Sequence, residues 1–317
     1  SAGGDFNKVG ASGSQFLKIG VGARASAMGN AYGSIANDLT SIFWNPAGLA
    51  EIQGVSADFS YTQWFAEFSH NFGAASTPIG EDFTLAAHVI SFSSEGIPVT
   101  TNANPDGTGA TYSASDISAG LSFAGFLTEE FSFGITGKVI YSGMKSLNSN
   151  GFAFDIGTKY NTGFKNISLG FSIHNLGSEQ QYSGQDLNSS KKLVDALSAA
   201  PVDISYTAYD YGIPIMFRAS LTGDIYNTED HKVRGAADFV TLSDAPEQIS
   251  FGAEYVWHEL LAIRAGYLAG HDEFGLGAGF GLRYASGGFG GKIDYSINPS
   301  ETFGLINRIS IGLDFGG

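Results

Sequence analysis

Between Phe274 and Tyr284 the chain alternates without interruption. Phe274, Leu276, Ala278, Phe280, Leu282 and Tyr284 leave one side, while Gly275, Gly277, Gly279, Gly281 and Arg283 leave the other. A period of two is the mark of an extended strand, because successive side chains project from opposite faces. The pattern recurs strand after strand from Ile213 to Phe315. Its apolar face carries more aromatic and aliphatic surface than a sheet can show to water, which implies a barrel whose outside meets lipid.

Composition is compatible with that reading. Hydrophobic residues make up 43% of the 317, a share also found in soluble proteins, because only one face of each barrel strand is apolar. No run approaches the roughly 18 apolar residues that a membrane helix requires. The 44 Gly and 25 Phe suit strands that bend and aromatic girdles that sit at the membrane surfaces. With 31 acidic against 16 basic residues the net charge is −15, which argues against a nucleic-acid partner. Cysteine is absent, so there is no disulfide framework, thiolate metal site or cysteine nucleophile. Ser1-Ala2-Gly3-Gly4 reads as the start of a mature chain after cleavage at a small residue.

Two parts are expected within one structural domain: an N-terminal segment, residues 1–53, and a barrel, residues 54–317. Residues 1–15 are Gly/Ser-rich and loose. Residues 16–53 do not alternate and hold a helix-compatible stretch around Ala23–Ala36. Fourteen strands are predicted, near 54–62, 67–77, 82–93, 115–127, 130–143, 151–161, 165–175, 213–226, 231–240, 247–257, 259–269, 274–285, 288–297 and 303–315. The count is even, as bacterial single-chain barrels require. With both termini in the periplasm, the two longest connections, 94–114 and 176–212, fall outside the cell and the tight turns fall inside. A short helix is expected at Ser189–Ala200, with Leu193, Val194 and Leu197 on one face. The fold class is therefore all-β: a 14-stranded antiparallel transmembrane β-barrel with an N-terminal hatch, or plug, in its lumen.

The plug follows from the inward face. Gly134, Gly170, Gly252, Gly266, Gly275, Gly277, Gly279 and Gly281 leave space against the wall, and the only chain available to fill it is 16–53. The inward charges are Lys138, Asp155, Lys159, Arg218, Asp224, Arg234, Asp238, Glu254, Arg264, Arg283, Lys292, Asp294, Arg308 and Asp314. Eight are basic and six acidic, a near balance that points to paired charges in a filled interior and not to a selective pore.

Catalytic and metal patterns are missing. The six histidines are scattered without HxH or HExxH spacing, and no GxSxG, Walker or dinucleotide glycine pattern sits between a strand and a helix. His88 and His174 read as hydrogen-bonded wall residues. No enzyme, cofactor or metal is expected.

The stretch Phe16-Leu17-Lys18-Ile19-Gly20-Val21-Gly22-Ala23-Arg24-Ala25-Ser26-Ala27-Met28-Gly29 continues through Asp38 to Phe43-Trp44-Asn45-Pro46-Ala47-Gly48. It resembles the N-terminal region of the PorV/PorQ family, a branch of the FadL-like outer-membrane barrels. The resemblance rests on Arg24, Met28, Gly29, Asp38, Trp44, Asn45, Pro46 and Ala47, over about 35 residues in order. It implies a hatch built by those residues, an outer-membrane location, and a non-enzymatic role in type IX protein secretion. The implied partners are lipid and lipopolysaccharide, a translocon barrel, the C-terminal signal domains of cargo, or attachment-complex proteins, met through the outer loops. Two other functions stay open. One is FadL-like uptake of hydrophobic small molecules such as fatty acids, with Phe16, Leu17, Phe43 and Trp44 lining an apolar pocket beside the hatch. The other is a structural anchor for a surface assembly.

Overall fold

The structure is a computed structural model that describes residues 12–191, 200–300 and 302–316. Fourteen strands form one closed antiparallel barrel. They are β1 (Val55–Gln63), β2 (Phe68–Ile79), β3 (Phe83–Ser94), β4 (Ala114–Phe126), β5 (Phe131–Met144), β6 (Leu147–Asn161) and β7 (Ser168–Gly177), then β8 (Met216–Asn227), β9 (His231–Leu242), β10 (Gln248–Trp257), β11 (Leu261–Ala269), β12 (Leu276–Ser286), β13 (Phe289–Ser300) and β14 (Gly304–Phe315). Each strand pairs with the next, and β14 pairs back to β1 with Val55 opposite Phe315 and Gln63 opposite Asn307.

Alternation in the sequence becomes alternation in exposure. On β5, Ile135 and Val139 are 45% and 63% exposed, while their neighbours Thr136 and Ile140 are buried. Phe59, Leu121, Phe152, Phe251 and Ile293 continue the apolar outside around the ring. Such a belt has no stable place in water and matches the lipid face of a transmembrane barrel. Even the shortest strands, Val55–Gln63 and Leu261–Ala269, have 9 residues, which suffices to cross a bilayer when tilted.

All fourteen expected strands are present. Three begin three or more residues from the predicted start: β6 at Leu147 instead of 151, β7 at Ser168 instead of 165, and β8 at Met216 instead of 213. Phe274, expected on the outward face beside Leu276, precedes β12 and turns toward the barrel mouth, where its ring lies 5.5 Å from that of Trp64. The long connection after β7 holds a small ladder, Asn188–Lys191 against Val202–Ser205. That replaces the start of the helix expected at Ser189–Ala200; its residues Leu193, Val194 and Leu197 lie outside the described residues, as do the first eleven residues of the chain.

Residues 15–52 run along the inner wall. They contain a 3-10 turn (Gln15–Lys18), α1 (Ala23–Ala27), α2 (Ser41–Trp44) and a second 3-10 turn (Pro46–Glu51). Pieces this short are not stable helices alone and depend on what they pack against. Here α1 touches β11 to β14, and the second 3-10 turn touches β3 to β6. The helix expected over Ala23–Ala36 stops at Ala27 because Gly29 adopts φ +62° and presses on the Gly266–Tyr267 backbone.

Six of the eight inward glycines adjoin this segment. A Cβ on Gly134 would overlap Pro46, one on Gly266 or Gly252 would strike Met28, and one on Gly277 would strike Ser26. Gly279 and Gly170 face Ala27 and Asn45. The other two serve the wall itself: Gly281 makes room for Arg264 with Asp294, and Gly275 for Tyr267.

Candidate functional site

The strongest polar constellation joins segment to wall. Arg24 of α1 grips Glu254 of β10 with two parallel hydrogen bonds, Nε to Oε2 at 2.8 Å and Nη2 to Oε1 at 2.9 Å. Arg264 donates Nε to Glu254 Oε2 at 2.6 Å and Nη1 to Asp294 Oδ1 at 2.6 Å. Arg234 and Arg283 approach the same carboxylate at 3.7 and 4.0 Å. One buried acid thus anchors four guanidiniums, and one of those belongs to the segment. Burial would discharge Arg24, but Glu254 and its other acidic neighbours outweigh it and hold the guanidinium above its ordinary range.

A second chain of bonds runs from the same arginine. Arg24 Nη1 donates to the Tyr32 hydroxyl at 3.0 Å, which donates to Asp38 Oδ2 at 2.9 Å. Lys292 of β13 reaches Asp38 at 3.4 Å and Asp58 of β1 at 3.1 Å. Burial pushes the Asp38 carboxyl up, but Lys292 and Arg24 outweigh it and hold it well below the usual carboxylate range. Burial pushes the Tyr32 phenol well up, so it keeps the proton it donates. Further along, Asp238 of β9 accepts from the Tyr32 and Gly33 amides and from Arg218 Nη1 at 2.9 Å.

Above this packed layer lies a cavity of about 550 Å³. Gly20, Asn30 and Trp44 form its floor, and Met216, Val240, Leu242, Leu268 and Ile306 its apolar walls. Its rim comes from the β1–β2, β9–β10, β11–β12 and β13–β14 connections, so it opens at the end that carries the long loops. Trp64, Phe65, Phe274 and Phe303 line that rim, with Phe65 and Phe303 stacked at 3.7 Å. Size and lining fit a small-molecule site, for which roughly 300–1,000 Å³ is ordinary.

Of the four residues expected to line a pocket, Trp44 borders this cavity, while Leu17 and Phe43 border a void of about 10 Å³ beside His88 and His174. Trp44 Nε1 donates to Val21 O at 2.9 Å, and Arg218 lies 4.7 Å above its ring. Phe16, Leu17 and Phe43 are buried in the core cluster with Tyr32, Phe72 and Ile90 instead.

The motif residues occupy distinct contacts. Arg24 and Asp38 carry the ion pairs above, and Met28 and Gly29 meet the Gly252 and Gly266 backbones. Asn45 accepts from the Ala47 amide at 3.1 Å and donates to Thr158 O at 3.1 Å, fixing Pro46 and Ala47 against β5 and β6. Among the expected wall charges, Lys138 pairs with Asp155 at 2.7 Å, Arg234 with Asp224 at 3.4 Å, and Asp314 accepts from Ser56 at 2.6 Å. His174 lies 2.9 Å from Ser172 and His88 is buried. Partners on the segment and on β1 were missed by sequence reasoning: Glu51 for Lys159 at 2.6 Å, and Asp38 and Asp58 for Lys292. Asp58 had a signal, because it shares parity with Ser56 and Ser60 opposite Phe59 and Tyr61. The rim aromatics had none, since they lie in turns.

No family model and no curated protein sequence matches the chain. Solved structures do share its fold. The CymD monoaromatic hydrocarbon channel superposes with TM-score 0.66 at 13% identity, over 94% of this chain and 98% of that one. The toluene transporter TodX of Pseudomonas putida gives 0.62 at 13%, over 93% and 96%. A FadL homologue of Pseudomonas aeruginosa gives 0.55 at 11%, over 93% and 98%. The chain shares the fold of these barrels, at identities that speak to fold alone.

Proposed function

We propose that this chain is a non-enzymatic outer-membrane barrel that admits hydrophobic small molecules, with the long loops outside and both termini in the periplasm. The observation that carries the reading is the apolar cavity at the loop end, rimmed by four aromatic residues and floored by Trp44 on the N-terminal segment. A molecule poorly soluble in water gains by leaving it for such a lining. Residues 15–52 then serve as a plug that separates the cavity from the far end. The fold neighbours, hydrocarbon channels and toluene transporters by their descriptions, support a cargo of this class. Cells with a lipopolysaccharide outer leaflet that express the chain should take up N-phenyl-1-naphthylamine faster than cells without it. Val240→Trp, which fills the cavity, should cancel the gain while gel mobility shows an intact barrel. Equal uptake in all three strains would refute this reading.

A secretion role rests on the resemblance of the Arg24–Ala47 motif alone, and in that reading a translocon or cargo would dock on the two long connections at the loop end. Deleting 178–212 should then end co-purification of secreted proteins from native membranes and leave a folded barrel. Unchanged co-purification would exclude it.

A further inference from the structure

Five of the six arginines have a carboxylate oxygen within 4.0 Å: Arg24, Arg218, Arg234, Arg264 and Arg283. Arg308 does not, among the described residues. It is 4% exposed, and its one hydrogen bond runs from Nε to Thr62 Oγ1 at 2.6 Å. It lines the cavity, and among the described residues its terminal nitrogens have no protein acceptor. The cross-strand register sets Ser296, Arg308, Thr62 and His70 on one rung of the inner wall. On that rung Ser296 Oγ and His70 Nε2 are also buried without a partner. A buried guanidinium with no counter-charge is costly, and the rest of this lumen avoids the situation.

From these observations we infer that Arg308 is an oxyanion subsite in the cavity and that the ligand is an aromatic acid. Its carboxylate takes the two terminal nitrogens of Arg308 in a forked pair, the geometry guanidinium favours. Its flat body lies among Trp44, Trp64, Phe65, Phe274 and Phe303. A rigid ring system loses little rotational freedom on binding, whereas a long alkyl chain must freeze many torsions against the same walls. Arg218 cannot take the same part, because Asp238 already neutralises it and its guanidinium covers Trp44. The inference rests on the uptake reading, since it names what that cavity selects.

The test uses the full chain in lipid nanodiscs, with empty nanodiscs as blank, and titrates 2-naphthoate, 2-methylnaphthalene and decanoate by calorimetry. Wild type should bind 2-naphthoate most tightly. Arg308→Gln should weaken that binding about ten- to a hundredfold, the worth of a hydrogen bond to a charged group, and leave 2-methylnaphthalene unchanged. Arg308→Lys should restore part of the loss, and heat-shifted gel mobility should show both variants folded. Undiminished naphthoate binding by folded Arg308→Gln would overturn the inference, as would a preference for decanoate. Binding of 2-methylnaphthalene without naphthoate would remove this inference and keep the uptake reading. If no probe binds wild type, both fall.

Discussion

Arg24 and Glu254 are joined by two parallel hydrogen bonds across the gap between the N-terminal segment and β10, with both side chains almost fully buried. The pair fixes α1 to the wall at the point where Arg264, Arg234 and Arg283 also converge. Its two ends are therefore not equivalent.

Removing the acid should be worse than removing the segment's arginine. Breaking a buried pair from one side costs about 3–5 kcal/mol, because the remaining charge is left uncompensated. Arg24→Met leaves Glu254 with three arginines, but Glu254→Gln strips four of their common partner. Hydrogen exchange over residues 20–40 should rise in both variants, and further in Glu254→Gln. Equal exchange in the two would show that the hub does not act as a unit.

Acid should loosen the segment through Asp38. Its folded-state pKa lies below the ordinary 3.8, so its stabilising effect is complete above that value. The effect is lost as pH falls through the folded value, because the unfolded carboxyl takes up its proton first. Exchange at Tyr32 to Trp44, taken relative to the intrinsic amide rate at each pH, should thus increase below about pH 4. Asp38→Asn should raise it at neutral pH and flatten the dependence. A wild-type profile with no rise on acidification would contradict the ion-pair reading of Asp38.

Side chains in place of the contact glycines should expel the segment. Gly266→Leu collides with the Met28–Gly29 backbone, and overpacking of this kind costs about 1–3 kcal/mol or more. The chain has no cysteine, so Ala36→Cys, at a site with 0% exposure, is a clean probe. A maleimide should label it slowly in the parent barrel and readily with Gly266→Leu. Gly73→Leu, where a Cβ meets nothing within 4 Å, should leave labelling slow.

Trp44 should report on the cavity. Its ring forms part of the floor beneath Arg218, so an aromatic ligand there changes its surroundings. In Trp64→Phe/Trp257→Phe, which leaves Trp44 as the sole tryptophan, 2-methylnaphthalene should shift the emission. Adding Val240→Trp would supply a second emitter, so Val240→Phe serves as the blocking control and should suppress the shift. An unchanged spectrum at saturation would place the ligand elsewhere.

The barrel was readable in the sequence because lipid imposes polarity on every second residue, so β12 to β14 announce themselves. That signal ends where the strands leave the membrane. Leu147-Asn148-Ser149-Asn150 extends β6, yet three of its four residues are polar, so it carries no apolar alternation. At β8 the expected start ran too early because Ile213 and Ile215 bracket Pro214, which has no amide to give a ladder; its carbonyl instead accepts from Asn175. Gly134 and Gly266 signalled a close neighbour, and a Cβ on them would overlap Pro46 and Met28. Which wall partners residues 16–53 would take was not legible, since Arg24, Asp38 and Glu51 meet theirs only through tertiary folding. The cavity was least visible, because its rim is assembled from four separate turns and Arg308 looks in sequence like any other wall charge.

The junction between β1 and β14 has a bearing on assembly order. Gly54 leaves the inner segment at φ +78° against Phe315 and Gly316, and Ala23 donates to Ser310 of the closing strand at 2.8 Å. Residues 15–52 precede the first strand and lie inside the ring, so once the seam is zipped Tyr32 and Trp44 would have to be threaded in through the mouth. The expected order is that the sheet wraps around this segment as around a mandrel. Closure, which joins strands from nearly opposite ends of the sequence, is then the slow last step. A weakened segment should show itself first as barrels that fail to shut in the membrane.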